Sequence, residues 1–274
     1  MELSEEEIEI QQDALDYIKS HKDELINEFI ISKRPIRLSL LTFFMAGSPG
    51  AGKTEFSKRY MTGEIDKNDL KLVNSLKERG FDVNDFDTLF IRIDVDSIRD
   101  FLPQYRKTDK IACVNGNAHV VQKAANKGLD ILRNYCFKND ISFLHDGTFG
   151  NYDTMRELVK KSIKLKRVVR IFYIYLDPLI AWEFTKAREA IEGRNIIREK
   201  FVEQFFSSRE NVDKIKKEFG DKIILDCIIK DQDNKVEEIQ FNIENVDIFI
   251  KKYYNRKSIN NYTKSNLLKS ISNV

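Results

Sequence analysis

Eight consecutive residues, Gly47-Ser48-Pro49-Gly50-Ala51-Gly52-Lys53-Thr54, fit the spacing G-x-x-x-x-G-K-[ST]. Gly47, Gly50 and Gly52 allow backbone conformations that aim successive N–H groups at phosphate oxygens. A helix starting at Lys53 adds its positive N-terminal dipole. Lys53 has the reach for β- and γ-phosphates, and the Thr54 hydroxyl suits Mg²⁺. The segment therefore predicts a nucleoside triphosphate site, with ATP as phosphoryl donor. The base-reading pattern Asn-Lys-x-Asp of GTPases is missing, the nearest run being Asn234-Lys235-Val236-Glu237. The loop does not name the reaction, because motors, switches and kinases all use it.

A kinase also needs an acid to take the acceptor's proton and cations for the transferred group. Ile93-Asp94-Val95-Asp96-Ser97-Ile98-Arg99 offers two acids after an apolar run. In a parallel sheet, ligands gather at the carboxyl ends of strands. If extension continues, Asp94 and Asp96 share one side. One then supports Mg²⁺ through water, the metal set being Thr54 and Asp94, and the other accepts a proton. The structural alternative for Asp96 is a helix cap.

The ordered set GSPGAGKT, IDVDSIR, Asp146-Gly147-Thr148 at a strand end, then arginines, resembles the zeta-toxin family of kinases. Those enzymes phosphorylate UDP-N-acetylglucosamine. The resemblance covers roughly residues 40–200. It implies Asp96 as catalytic base and Arg188 and Arg194 on the transferred phosphoryl group, with Arg198 in reserve; Lys53 of the loop completes the catalytic set. It implies substrate contacts from Asn126, Asp130, Asp146 and Thr148. Residues 126 and 130 share a helix face, which a solvated surface explains as well. Asp146 replaces the family's usual Glu, and Leu102 stands where His is common. The stretch 62–88 is long. These departures leave the acceptor open: NAD or a nucleic-acid 5′ end are alternatives, as is an ATP-hydrolysing switch working through a partner. The resemblance also implies an inhibitor protein, an antitoxin. His119 is read as able to approach the substrate, and His145 as packed.

Alternating apolar runs and helix-period segments imply an α/β fold: a P-loop kinase-like parallel sheet with helices on both faces. The division reads as an N-terminal helical extension at 1–36, a core at 37–220 and a C-terminal extension at 221–274. Strands are expected at 38–46, 89–93, 141–144, 168–176, 223–229 and 236–241. Helices are expected at 4–32, 53–61, about 114–138, 152–165, 179–191, 196–217 and 244–254. Asn151 reads as a cap and Pro178 as a first-turn residue. Leu70, Val73 and Leu76 read as inward-facing. The tail from Asn255 reads as loosely held.

Net charge is only +2, which supplies no general drive toward nucleic acid or anionic membrane. The acidic start MELSEEEIEI lacks a secretory pattern, and no apolar run reaches 18 residues. Cys113, Cys136 and Cys227 form no metal-spaced pair. The expectation is a cytoplasmic protein acting on a nucleotide-sugar-like small molecule.

Overall fold

The computed structural model describes residues 3–35, 40–61, 90–107, 116–192, 196–257 and 262–272. The expectations for 62–88, for Cys113 and for Arg194 lie outside these residues. Elements are labelled in chain order: α1 Glu5–Ser20, α2 Lys22–Phe29, β1 Leu41–Ala46, α3 Lys53–Met61, β2 Ile91–Asp94, α4 Val95–Phe101, α5 Gln122–Lys138 and β3 Phe143–Asp146. There follow α6 Tyr152–Lys164, β4 Val168–Tyr175, α7 Pro178–Glu192, α8 Arg198–Phe219, β5 Ile223–Lys230, β6 Val236–Gln240, α9 Val246–Lys257 and α10 Lys264–Ser272.

The six strands form one sheet in the order β2-β3-β1-β4-β5-β6. The first five run parallel, and β6 returns antiparallel on β5. The sheet is therefore mixed rather than wholly parallel. Every residue of β1 is buried, so both faces of the sheet's centre are covered, which explains its continuous apolar run. Phe201, Val202, Phe205, Phe206, Val212 and Ile215 form the buried stripe of α8, which packs on β1, β4 and β5.

A second cluster joins α1, α2, α4 and α5 to β2 and β3 through Ile18, Leu25, Ile93, Ile98, Leu132 and Phe143. The N-terminal segment is two helices rather than one. Its first begins with a reciprocal cap, Glu7 N–H donating to Ser4 Oγ at 3.2 Å and Ser4 N–H to Glu7 Oε2 at 2.9 Å. It ends at His21, whose ring stacks on Tyr17 at 3.9 Å. Ile8 of α1 is apolar yet 55% exposed.

Asn151 caps α6 by accepting from Thr154 N–H at 2.9 Å, and Pro178 opens α7. Several boundaries differ from expectation: α5 begins at Gln122 rather than near 114, and α9 runs Val246–Lys257 rather than 244–254. Ile141 N–H bonds back to Cys136 O at 3.0 Å, so α5's exit takes that donor and the ladder begins at Phe143. Strand β3 thereby reaches Asp146. The tail is also more ordered than its composition suggests, since α10 buries Leu267 and Ile271 in the main core.

Candidate active site

The phosphate loop leaves β1 at Ala46 and enters α3 at Lys53. Gly50 has φ +72°, and a Cβ there would lie 2.0 Å from Ala181 O of α7. Only glycine meets both demands, so the loop rests directly on the helix that carries Arg188. Lys53 Nζ donates to Ser48 O at 2.6 Å, which draws the half-buried side chain across its own loop. Loss of water lowers its pKa to about 8; Asp146 offsets this, and Arg188 pushes the same way as burial. Those interactions, with a further one from Asp96, place Lys53, Asp146 and Asp96 in one field.

The acids sit at neighbouring strand ends. Asp94 pairs with Asp146 across the β2–β3 register. The chain turns helical at Val95, so extension does not continue, and the same-side relation of Asp94 and Asp96 has no basis. The cap is Asp94 rather than Asp96: its Oδ1 accepts from the N–H groups of Asp96 at 3.1 Å and Ser97 at 2.9 Å. Asp94 Oδ2 accepts from Ser97 Oγ at 2.8 Å. This frees Asp96, in the first turn of α4, to face Arg188. Arg188 Nη2 stands 3.6 Å from Asp96 Oδ2, and Arg99 Nη1 donates to Asp96 Oδ1 at 2.7 Å.

Arg92 organises these groups, and the sequence reading passed it over. Its Nη1 donates to Asp94 Oδ2 at 2.7 Å and its Nη2 to Asp146 Oδ2 at 2.6 Å. Its Nε lies 3.0 Å from Ser57 Oγ of α3, which itself donates to Asp146 Oδ2 at 3.0 Å. Burial lowers the pKa of Arg92, but Asp146 and Asp94 outweigh it and the net shift is upward. Alternation in Ile91-Arg92-Ile93-Asp94 was the available signal, because it puts Arg92 and Asp94 on one strand face.

Asp146 is thus held by Arg92 and Ser57, and Thr148 O accepts the Gly47 N–H at 3.3 Å. Asn126 and Asp130 are both exposed on α5. Asn126 Oδ1 accepts from Gln122 Nε2 at 2.9 Å, and Gln122 Oε1 accepts from Arg99 Nη2. A hydrogen-bond chain therefore runs from Asp96 through Arg99 and Gln122 to Asn126. Asp130 pairs instead with Arg133 at 2.5 Å.

His119 is tied to the N-terminal helix, its Nε2 3.0 Å from Glu7 Oε1. His145 is buried beside Phe44, and burial, with a smaller push from Arg133, lowers its pKa to about 3. Leu102, the departure from the family's His, is 2% exposed in the second core cluster. Arg198 lies exposed at the start of α8. Among the described residues, no cluster of three or more His, Cys, Asp or Glu could hold a metal ion, and no helix is long and apolar enough to cross a membrane.

The family model described as Zeta toxin matches residues 85–244, more than half of the chain. The match starts beyond the phosphate loop and reaches past the span 40–200 inferred from motifs. One similar solved structure is described as the PezAT chromosomal toxin-antitoxin system of Streptococcus pneumoniae. It is 14% identical with a TM-score of 0.52, over 98% of this chain and 88% of that one. Another, AvrRxo1-ORF1:-ORF2 with ATP, is 14% identical with a TM-score of 0.53, over 89% of this chain and 71% of that one. At such identities the likeness establishes the fold. No curated protein sequence matches the chain.

Proposed function

The chain belongs to the zeta-toxin family of P-loop kinases, and from that premise we propose that it transfers the γ-phosphoryl group of ATP to a hydroxyl of a small nucleotide-containing metabolite, UDP-N-acetylglucosamine. The observation that carries this reading is the Arg188–Asp96 pair at 3.6 Å, its arginine on the helix that buttresses the phosphate loop. A switch needs no base–arginine pair on its acceptor side.

The chemistry follows from the positions. The backbone N–H groups of Gly50, Gly52, Lys53 and Thr54, with the Lys53 amine, hold the triphosphate. The acceptor oxygen attacks the γ-phosphorus, its proton passes to the Asp96 carboxylate, and the β,γ-bridging bond breaks to release ADP. Arg188, and by resemblance Arg194, neutralise charge that builds on the phosphoryl oxygens. The donor set fits Mg²⁺, which takes few protein ligands and keeps its waters: Thr54 offers a hydroxyl, while Asp94, its oxygens already engaged, reaches the ion only through water. Mg²⁺ there would neutralise the β- and γ-phosphate charge. On this reading Asn126, Asp130, Asp146 and Thr148 contact the acceptor. As a toxin, the protein would be held in check by an inhibitor protein, which co-purification from its native cell would reveal.

The test is incubation with ATP and UDP-N-acetylglucosamine, with mass detection of a product one phosphate heavier. No product at high enzyme concentration sinks this acceptor, and a panel including NAD and 5′-hydroxyl oligonucleotides then identifies another. ATP turnover that rises only with a partner protein would sink the kinase reading itself.

A further inference from the structure

Lys230 ends β5 on the far side of the sheet from the acids, yet its amine reaches the phosphate loop. Lys230 Nζ donates to Gly52 O at 3.0 Å and to Asn234 Oδ1 at 2.8 Å. The residue is 5% exposed. Burying an ammonium is costly without specific partners, and here one partner is the carbonyl immediately before Lys53.

The surrounding hairpin is built to hold this contact. The β5–β6 register shifts between Ile229 and Lys230, and such bulges re-aim side chains beside functional sites. Asp231 Oδ1 accepts from the N–H groups of Asp233 at 3.0 Å and Lys235 at 2.9 Å, which fixes the turn. Asn234 takes φ +61° within it. A Cβ on Gly52, whose φ is +74°, would meet Asn234 Oδ1 at 2.2 Å and Lys230 Nζ at 2.3 Å. The hairpin therefore closes directly onto Gly52.

Gly52 C=O belongs to the same peptide unit as Lys53 N–H. That N–H stands at the first turn of α3, where it has no partner within the helix and is available to an anion. A charged donor on the carbonyl polarises the unit and strengthens donation from its N–H. We propose that Lys230 is a positioning residue for nucleotide binding, acting on the phosphates through the Gly52–Lys53 peptide without touching them. This rests on the reading of Gly47–Thr54 as the triphosphate site.

The experiment titrates the full chain with a non-hydrolysable ATP analogue and Mg²⁺ by calorimetry, alongside thermal unfolding. Lys230→Met is expected to weaken binding about tenfold, the scale of one charge-assisted hydrogen bond. Lys230→Arg should restore it to within about threefold, and Lys230→Gln, which keeps a donor without the charge, should fall between. The melting temperature of Lys230→Gln should stay near that of the wild type. Equal affinity in wild type, Lys230→Met and Lys230→Gln would overturn the proposal. So would an affinity loss in Lys230→Gln that merely tracks lost stability. Should Lys230→Met fail to fold, the Gln and Arg pair carries the comparison alone. A wild type without affinity for the analogue would overturn the loop reading first, and that outcome is separate from any variant.

Discussion

Arg92 Nη2 lies 2.6 Å from Asp146 Oδ2, so a residue on β2 holds the acid that ends β3. The same guanidinium takes Asp94 at 2.7 Å, and both carboxylates are almost wholly buried. Without Arg92, two facing acids lose their counter-charge in a poorly solvated place. Arg92→Ala should cost about 3–5 kcal/mol, as expected for removing one partner of a buried ion pair. Denaturant unfolding reads this directly, and an unchanged midpoint would remove Arg92 as the organiser of the strand ends.

In the proposed mechanism Asp96 takes the acceptor's proton. Its neighbours Arg99 and Arg188 hold the carboxylate without capping its helix, since Asp94 performs that task. Asp96→Asn keeps the shape and removes the basicity. Transfer should fall by about 10²–10⁴-fold, the usual contribution of a general base, while ATP affinity stays within a few-fold. Full activity in this variant would dismiss Asp96 as base.

Lys53 supplies a pH dependence. Its folded pKa of about 8 lies below the ordinary lysine value, chiefly because the amine has lost water. Between that value and about 10.4 the unfolded chain binds a proton that the folded chain lacks. Stability from this group therefore rises with pH across that window and is lowest below it. A bound triphosphate favours the charged amine, so nucleotide binding near pH 9 should take up a proton. Calorimetry in two buffers of different ionisation enthalpy measures that uptake. Equal heats in both, or an uptake that persists in Lys53→Met, would contradict the assignment.

What the sequence made legible was local. The strand–loop–helix passage from β1 to α3, the Asn151 cap and Pro178 at the start of α7 each depend on residues a few positions apart, and each stands where spacing places it. The less visible parts join distant segments. Arg92 meets Asp146 across 54 positions and Lys230 meets Gly52 across 178, and no periodicity announces either contact. Strand β3 starts two residues after its apolar run does, because the Ile141–Cys136 backbone bond ends a helix with no glycine to mark it. In the tail, polar composition masks Leu267 and Ile271, which align four residues apart on one buried helix face.

The core offers a contrast between breaking a charge pair and replacing it. Arg170 of β4 donates to Asp226 of β5, and both are at least 95% buried. Asp226 Oδ1 also accepts from Asn242 N–H at 2.9 Å, which anchors the chain after β6. Asp226→Ala leaves a buried guanidinium and a backbone donor without this acceptor, so a loss of about 3–5 kcal/mol is expected. Circular dichroism in urea should show it, with kinetics at the strand ends unaffected well below the unfolding midpoint.

Asn126 gives the sharpest separation of acceptor from donor. It stands on α5 and is joined to Asp96 through Gln122 and Arg99. If that chain aligns acceptor and base, Asn126→Ala should raise the acceptor KM and leave the KM for ATP unchanged. Loss of one hydrogen bond to an uncharged group corresponds to about 0.5–1.5 kcal/mol, or roughly two- to twelvefold in KM. Gln122→Ala should act differently, because it removes the link and not the contact: kcat should fall with little change in KM, through loss of base alignment. Matching effects of the two substitutions on kcat and KM would mean that α5 supports the site only by packing. Divergence along those lines would place the acceptor between Asn126 and Asp96, on the side of α4 that faces Arg188.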